Sequence, residues 1–205
     1  MSTTASPYAL ERRDLRTILT GGAVMGAVTI VGVVLFALIS RVISGRFEVM
    51  FQSLVVLIGG ALATFLPANA IRPRTVDGIG WTALTGFLGA VVFTVADLVV
   101  LRPLSLYSWT WDAIGGGSGW WYIPVWWMGA TFLAWMGGLV YGSRARATTD
   151  VNVPALGLQA AGLAVVIFGV LAATGLAPFH AAIAALAFGV SAIIQVPVAA
   201  LLNRR

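Results

Sequence analysis

Asp97 is the charged residue in this sequence that most clearly suggests a functional role, because it lies inside a long apolar stretch. An unpaired carboxylate inside a membrane is energetically costly, so Asp97 needs a cationic partner. The candidate partners are three arginines that flank neighbouring apolar stretches, namely Arg41, Arg46 and Arg102. Such a pair has either a structural role or a role in ligand binding or proton coupling.

Tryptophan is concentrated in one part of the chain, where seven of the eight tryptophans fall between Trp109 and Trp135. The candidate ligand contacts among the aromatic residues are Trp109, Trp111, Trp120, Trp121, Tyr122 and Trp126. Aromatic residues anchor helices at membrane interfaces, but five between Trp120 and Trp127 cover every side of a helix. Some of them are therefore expected to face the protein interior, where they either pack in the core or stack on a ligand ring or cation.

The single histidine, His180, follows the turn Ala177-Pro178-Phe179. It is a candidate hydrogen-bond donor to a ligand or an axial ligand to a tetrapyrrole, and the alternative is a solvated side chain at an interfacial turn. The chain has no Cys, so Cys-ligated zinc and iron–sulfur clusters are excluded. No membrane segment carries an Asp or Glu pair at helical spacing, and the sequence has no phosphate loop or HExxH motif. We therefore expect no enzyme activity and leave the cofactor open.

A short amphipathic helix is predicted between the third and fourth apolar stretches. After Pro103, the residues Leu104, Tyr107, Trp111 and Ile114 recur at the spacing of one helical face. A glycine-rich run, 115–119, follows and cannot hold a helix. The segment is interpreted either as a lid with a hinge or as an interfacial anchor with a slack turn.

The elements that position these residues are membrane helices. The sequence is 60% hydrophobic and 9% charged over 205 residues, which excludes a soluble protein and a disordered one. Six apolar stretches are long enough to cross a bilayer of roughly 30 Å, and none alternates as a membrane strand does. They run from Ile18 to Ser40, Val49 to Leu66, Ile79 to Leu101, Trp120 to Gly142, Pro154 to Leu176 and Ala181 to Leu202. The predicted fold is an all-α, polytopic bundle of six transmembrane helices, with the short interfacial helix between helices 3 and 4.

Arginine positions predict the orientation of this bundle. All twelve basic residues are Arg, and nine of them lie in the two tails and in the second and fourth connections. The positive-inside rule then places both termini in the cytoplasm of a bacterial-type cell, with the domain at 18–202 between tails 1–17 and 203–205. The arginines do not cluster on one element, so nucleic-acid binding is excluded.

Small residues on the first helix suggest a contact surface. Gly22 and Gly26 lie four residues apart, with Ala23 and Ala27 beside them, a spacing that lets helix backbones approach closely. This stripe either packs the bundle internally or faces a partner protein.

The Ala23–Ala27 stripe and the segment Gly86-Phe87-Leu88-Gly89-Ala90 leading to Asp97 resemble features of a known family. The chain is similar to the substrate-binding S components of energy-coupling-factor vitamin transporters, which also have about 200 residues and six helices. The resemblance implies a small ligand in an outward-facing site closed by loops. It also implies a partner, a transmembrane coupling subunit driven by ATPases.

A second interpretation is an accessory subunit of a respiratory or photosynthetic membrane complex. The tryptophans would then pack lipid, quinone or pigment rings, the glycine and alanine stripes would dock other subunits, and His180 would be a candidate metal ligand. Membrane lipid is an expected partner under both interpretations.

Overall fold

The computed structural model describes residues 10–106, 122–146, 148 and 150–202, and all regular structure within them is helical. Six helices are long and apolar enough to cross a membrane, which confirms the predicted multi-pass helical membrane protein. They are α1 (Leu15–Val42), α2 (Arg46–Ile71), α3 (Val76–Ala96), α4 (Tyr122–Arg144), α5 (Val153–Ala173) and α6 (Ala181–Leu202). A π-helical turn, Asp97–Leu101, extends α3 without interruption.

The predicted interfacial helix is not supported. Within the described residues, 102–105 form a turn after the π-helical segment, and Leu106 has no regular structure. The remainder of that prediction, from Tyr107 onward, and the glycine-rich run lie outside the described residues.

Helix α2 differs most from its predicted bounds, because it begins before Val49 and runs through Pro67 to Ile71. Proline removes one backbone hydrogen bond, but neighbouring helices in a membrane can re-satisfy the freed groups. Pro67 is fully buried among such neighbours. The helix ends at Arg72, whose left-handed backbone (φ 56°) closes the last turn with a hydrogen bond from its N–H to the carbonyl of Ala68.

Helix α2 is also the centre of the bundle, since it contacts all five other helices. The others follow one another around it in the order α1, α3, α4, α6, α5. The ring is open between α1 and α5, which have no extensive contact with each other. The largest core cluster lies where α2, α4, α5 and α6 meet, around Leu57, Phe65, Val140 and Phe188.

Glycines allow α1 and α3 to cross at close range. A Cβ at Gly26 would lie 2.5 Å from Cγ1 of Val92, and one at Gly22 would lie 2.8 Å from Cβ of Leu88. Both positions are buried where α1 crosses α3. Ala23 and Ala27, beside them on α1, are exposed. The stripe is therefore divided, with its glycines inside the bundle and its alanines on the outer surface.

The two ends of the bundle differ in character. Helices α1, α3 and α5 end on one side of the bundle, which we call the Asp97 end. Helices α2, α4 and α6 end on the opposite side, which we call the Arg-rich end. A hydrogen bond from Arg41 to the carbonyl of Ser105 (2.7 Å) links two segments at the Asp97 end, and one from Arg74 to the carbonyl of Ala145 (2.8 Å) links two at the Arg-rich end.

Candidate functional site

The candidate site is built around the π-helical turn that begins at Asp97. The N–H of Arg102 donates to the carbonyl of Asp97 at 2.9 Å, five residues back instead of four. Single π turns inside α-helices occur frequently at functional sites. Here the wider turn places the side chain of residue 102 on the same side of the helix as Asp97.

Asp97 is completely buried, and its carboxylate is paired with Arg102. Nε of Arg102 donates to Oδ2 of Asp97 at 3.0 Å, while the Arg102 side chain itself is 35% exposed. Within the described part of the chain, the other oxygen, Oδ1, has no hydrogen-bond partner. Buried polar atoms are rarely left unsatisfied, so this oxygen is an acceptor that can receive a hydrogen bond.

Of the three arginines predicted as partners, Arg102 forms the pair. Arg41 instead donates to the carbonyl of Ser105, whose backbone is left-handed (φ 50°), and thereby holds the turn after Leu101 against α1. Arg46 is exposed at the start of α2. The site therefore has one carboxylate-bound guanidinium and one guanidinium that fixes the adjoining turn.

Two half-buried indoles from α4 pack against the part of α3 that precedes Asp97. Nε1 of Trp127 donates to Oγ1 of Thr94 at 3.2 Å, one helical turn before Asp97. The ring of Trp126 packs on Phe93 with centroids 4.8 Å apart, and that of Trp127 meets Phe87 edge-on at 5.3 Å. Part of the tryptophan cluster thus faces the bundle interior, as the sequence predicts.

An apolar cluster lies between α1 and α3, with members one helical turn before and one after the buried Asp97. Val33, Phe93 and Leu101 form a buried cluster against which Ile30, Val34, Leu106 and Trp126 pack. Such surroundings lower the local dielectric constant and strengthen any hydrogen bond or charge contact made there. A donor that reaches Oδ1 would therefore be held more tightly than at an exposed carboxylate.

His180 lies at the Asp97 end, but its described contacts are local. Its Nδ1 accepts a hydrogen bond from the N–H of Ala182 at 3.1 Å, and its carbonyl accepts from Ile183 at 2.9 Å. The side chain is exposed and caps the first turn of α6. This arrangement accounts for the histidine structurally and joins it to no other candidate residue.

Of the remaining candidate residues, the structure describes only Tyr122. Trp109, Trp111, Trp120 and Trp121 lie outside the described residues, and Tyr122 begins α4. Among the described residues, no three His, Cys, Asp or Glu side chains lie close enough to hold a metal ion. The described part of the site is therefore Asp97, Arg102, Thr94, Trp126 and Trp127.

Thr94 is not among the residues predicted from the sequence, and Trp127 is not among the predicted ligand contacts. Thr94 is buried, and its hydroxyl also donates to the carbonyl of Ala90 at 2.8 Å. Its position three residues before Asp97 is the signal that could have found it, since such residues share a helical face. The indole N–H of Trp127 has the Thr94 hydroxyl of α3 within hydrogen-bond reach.

Comparison with known proteins adds no assignment to this geometry. No protein-family model matches the chain, and neither the curated proteins nor the solved structures gave a match.

Proposed function

We propose that this chain is a non-enzymatic, membrane-embedded binding subunit whose ligand site lies at the Asp97 end. The observation that carries the proposal is the completely buried Asp97 carboxylate, of which Oδ1 is engaged by no residue that the structure describes. Intramembrane ionisable residues are rare and mark substrate or ion pathways. A carboxylate with only a structural role would be expected to have both oxygens satisfied.

The chemistry of the site defines the class of ligand. Oδ1 accepts a hydrogen bond, so the ligand presents an N–H, an O–H or a positive charge. The half-buried rings of Trp126 and Trp127 offer stacking and cation–π surface. A small molecule that combines a flat ring with a donor or a cationic group fits both features.

A partner subunit on α1 belongs to the same proposal. Ala23 and Ala27 are exposed on a helix at the open side of the ring, so their small side chains are available for close helix contact. The resemblance to vitamin-transporter S components suggests a coupling subunit with ATPases as this partner. Under the positive-inside rule the Arg-rich end is cytoplasmic and the Asp97 end faces outward.

Affinity purification from the native membrane tests the proposal. The tagged chain is extracted in mild detergent, and the released small molecules and co-purifying polypeptides are identified by mass spectrometry. Wild type is compared with Asp97→Asn and with the control Asp77→Asn, the same change at the other end of α3. Loss of one charge-assisted hydrogen bond costs about 1.5–3 kcal/mol. The Asp97→Asn protein is therefore expected to retain at least roughly tenfold less ligand than wild type.

The control Asp77→Asn is expected to retain the wild-type amount. Because Asp97→Asn also removes a partner of Arg102, the charge-balanced variant Asp97→Asn with Arg102→Gln is purified in parallel. Equal amounts of the same small molecules from wild type and both Asp97 variants would contradict a site at Asp97. Recovery of pigment or redox subunits instead of ATPases would favour the accessory-subunit interpretation.

A further inference from the structure

A second candidate site lies at the Arg-rich end, away from Asp97. A cavity of about 190 Å³ opens between the start of α3 and the end of α4. One bound water needs only about 10–15 Å³, so the cavity has room for a larger group. Its lining includes Arg74 and Arg146 together with the apolar residues Val76, Ile79 and Leu139.

The charged lining of the cavity is entirely basic. Arg74 enters from the connection before α3 and is held by its hydrogen bond to the carbonyl of Ala145. Arg146 is exposed beyond the end of α4. The two guanidiniums therefore approach the cavity from different segments, an arrangement that suits an anion with several acceptor oxygens.

Two carboxylates near the connection before α3 belong to Glu11 and Asp77, and neither lines the cavity. Glu11 is bound by Nε of Arg13 at 2.7 Å, and Asp77 lies 3.6 Å from Nη1 of the same arginine. Arg13 offsets one of these two negative charges. The lining itself, as far as the structure describes it, holds Arg74 and Arg146 and no acidic side chain, so its own formal charge is positive.

The other half of the lining is apolar. Val76, Ile79 and Leu139 lie on the parts of α3 and α4 that enter the membrane span. Val76 is 84% exposed, and Trp135, one turn from Leu139 along α4, is 48% exposed. A basic cavity that continues into an exposed apolar helix surface matches a phosphate attached to acyl chains better than it matches a free phosphate ion.

We propose that this cavity binds the phosphate group of an anionic phospholipid, with Arg74 and Arg146 at the headgroup and the acyl chains along Val76 and Leu139. Basic pockets between transmembrane helices bind lipid headgroups in this manner. The site is independent of the proposed ligand site at Asp97.

Native mass spectrometry of the full chain in neutral detergent tests the proposal. The probes are phosphatidylglycerol, phosphatidylcholine and inorganic phosphate, added separately to wild type, Arg146→Gln and Arg74→Gln. The control is Arg16→Gln, which removes the same charge from an exposed position on α1 at the same end. Wild type is expected to retain phosphatidylglycerol, and each cavity variant is expected to retain roughly fivefold less, the factor for one arginine beside an anionic lipid.

Arg16→Gln is expected to behave as wild type, and phosphatidylcholine is expected to bind weakly. Arg146 is exposed, so its variant reports on binding even if Arg74→Gln impairs folding. Equal phosphatidylglycerol retention by wild type, Arg146→Gln and Arg16→Gln would overturn the proposal. Binding of inorganic phosphate as strong as that of the lipid would overturn the lipid assignment in favour of a free anion.

Discussion

Asp97 and Arg102 form the polar centre of the site because a single π-helical turn places Arg102 next to Asp97. That an aspartate in an apolar stretch needs an arginine partner follows from the cost of charge in a membrane. The choice of Arg102 over Arg41 and Arg46 does not follow from the sequence. In an α-helix the side chains above residue i are i+3 and i+4, whereas the π turn brings residue i+5 above Asp97.

Glu11 shows the same dependence on context at the other end of the molecule. Its side chain is buried against the connection between α2 and α3, where it accepts hydrogen bonds from the N–H groups of Arg74 and Thr75. Burial opposes ionisation, but these bonds, together with those from Arg13 and the Thr75 hydroxyl, outweigh it and lower the pKa of Glu11. Ionised Glu11 therefore stabilises the attachment of the amino-terminal segment.

The pKa of Glu11 predicts how this attachment depends on pH. A lowered pKa in the folded state means that the stabilisation is present above the ordinary value of 4.5 and is lost as pH falls through the folded-state pKa. Wild type should therefore melt at a higher temperature than Glu11→Gln at about pH 6, and the difference should shrink at about pH 3. Thermal unfolding of both proteins in detergent measures this difference.

Asp14 provides an internal control for that experiment. It caps α1, and hydrogen bonds from the hydroxyl and N–H of Thr17 lower its pKa as well. Asp14 titrates in both proteins, so its effect cancels in the comparison. A gap in melting temperature that stays constant across the pH range would show that the Glu11 carboxylate charge is not the stabilising feature.

Among the elements, α2 is the helix that the sequence describes least well. Its polar start and Pro67 predict a short span, yet it is the central helix of the bundle. The polar first turn and Pro67 are both accommodated because α2 is surrounded by other helices. Gln52 is buried and donates to Ser40 of α1 at 2.8 Å and to Glu48 at 3.1 Å, and Pro67 is enclosed by neighbouring helices. Hydropathy cannot reveal such contacts, because they depend on which helices become neighbours.

Two glycines on α4 are expected to respond differently to substitution by alanine. A Cβ at Gly137 would overlap the backbone carbonyl oxygen of Thr64, whereas one at Gly129 would meet no atom within 4 Å. Gly137→Ala should therefore force α4 away from α2 and destabilise the protein by about 1–3 kcal/mol. Gly129→Ala should be neutral or slightly stabilising, because alanine favours the helix.

Unfolding by heat or by denaturing detergent compares these two variants with wild type. Similar stability of Gly137→Ala and Gly129→Ala would mean that α2 and α4 do not cross at Thr64. The sequence alone does not separate these glycines, since both lie in the same apolar helix and differ only in what packs against them.

At the scale of the whole molecule, apolar length and composition predict the six spans, because each must cover the bilayer thickness. The order of helices around α2 is not predictable in this way, since any apolar face is compatible with lipid or with another helix. The structure separates two polar regions that the sequence only lists: Asp97 with Arg102 at one end, and the Arg74–Arg146 cavity at the other. The two proposed sites therefore lie at opposite ends of the bundle.

The most direct test of the central claim is an experimental structure of the gently purified full chain, at a resolution that shows the surroundings of Asp97. A ligand site at Asp97 predicts non-protein density beside Trp126 and Trp127, with a donor atom about 2.7–3.2 Å from Oδ1 of Asp97. An Oδ1 that receives its hydrogen bond from a side chain of the protein, with no ligand density nearby, would rule out this site.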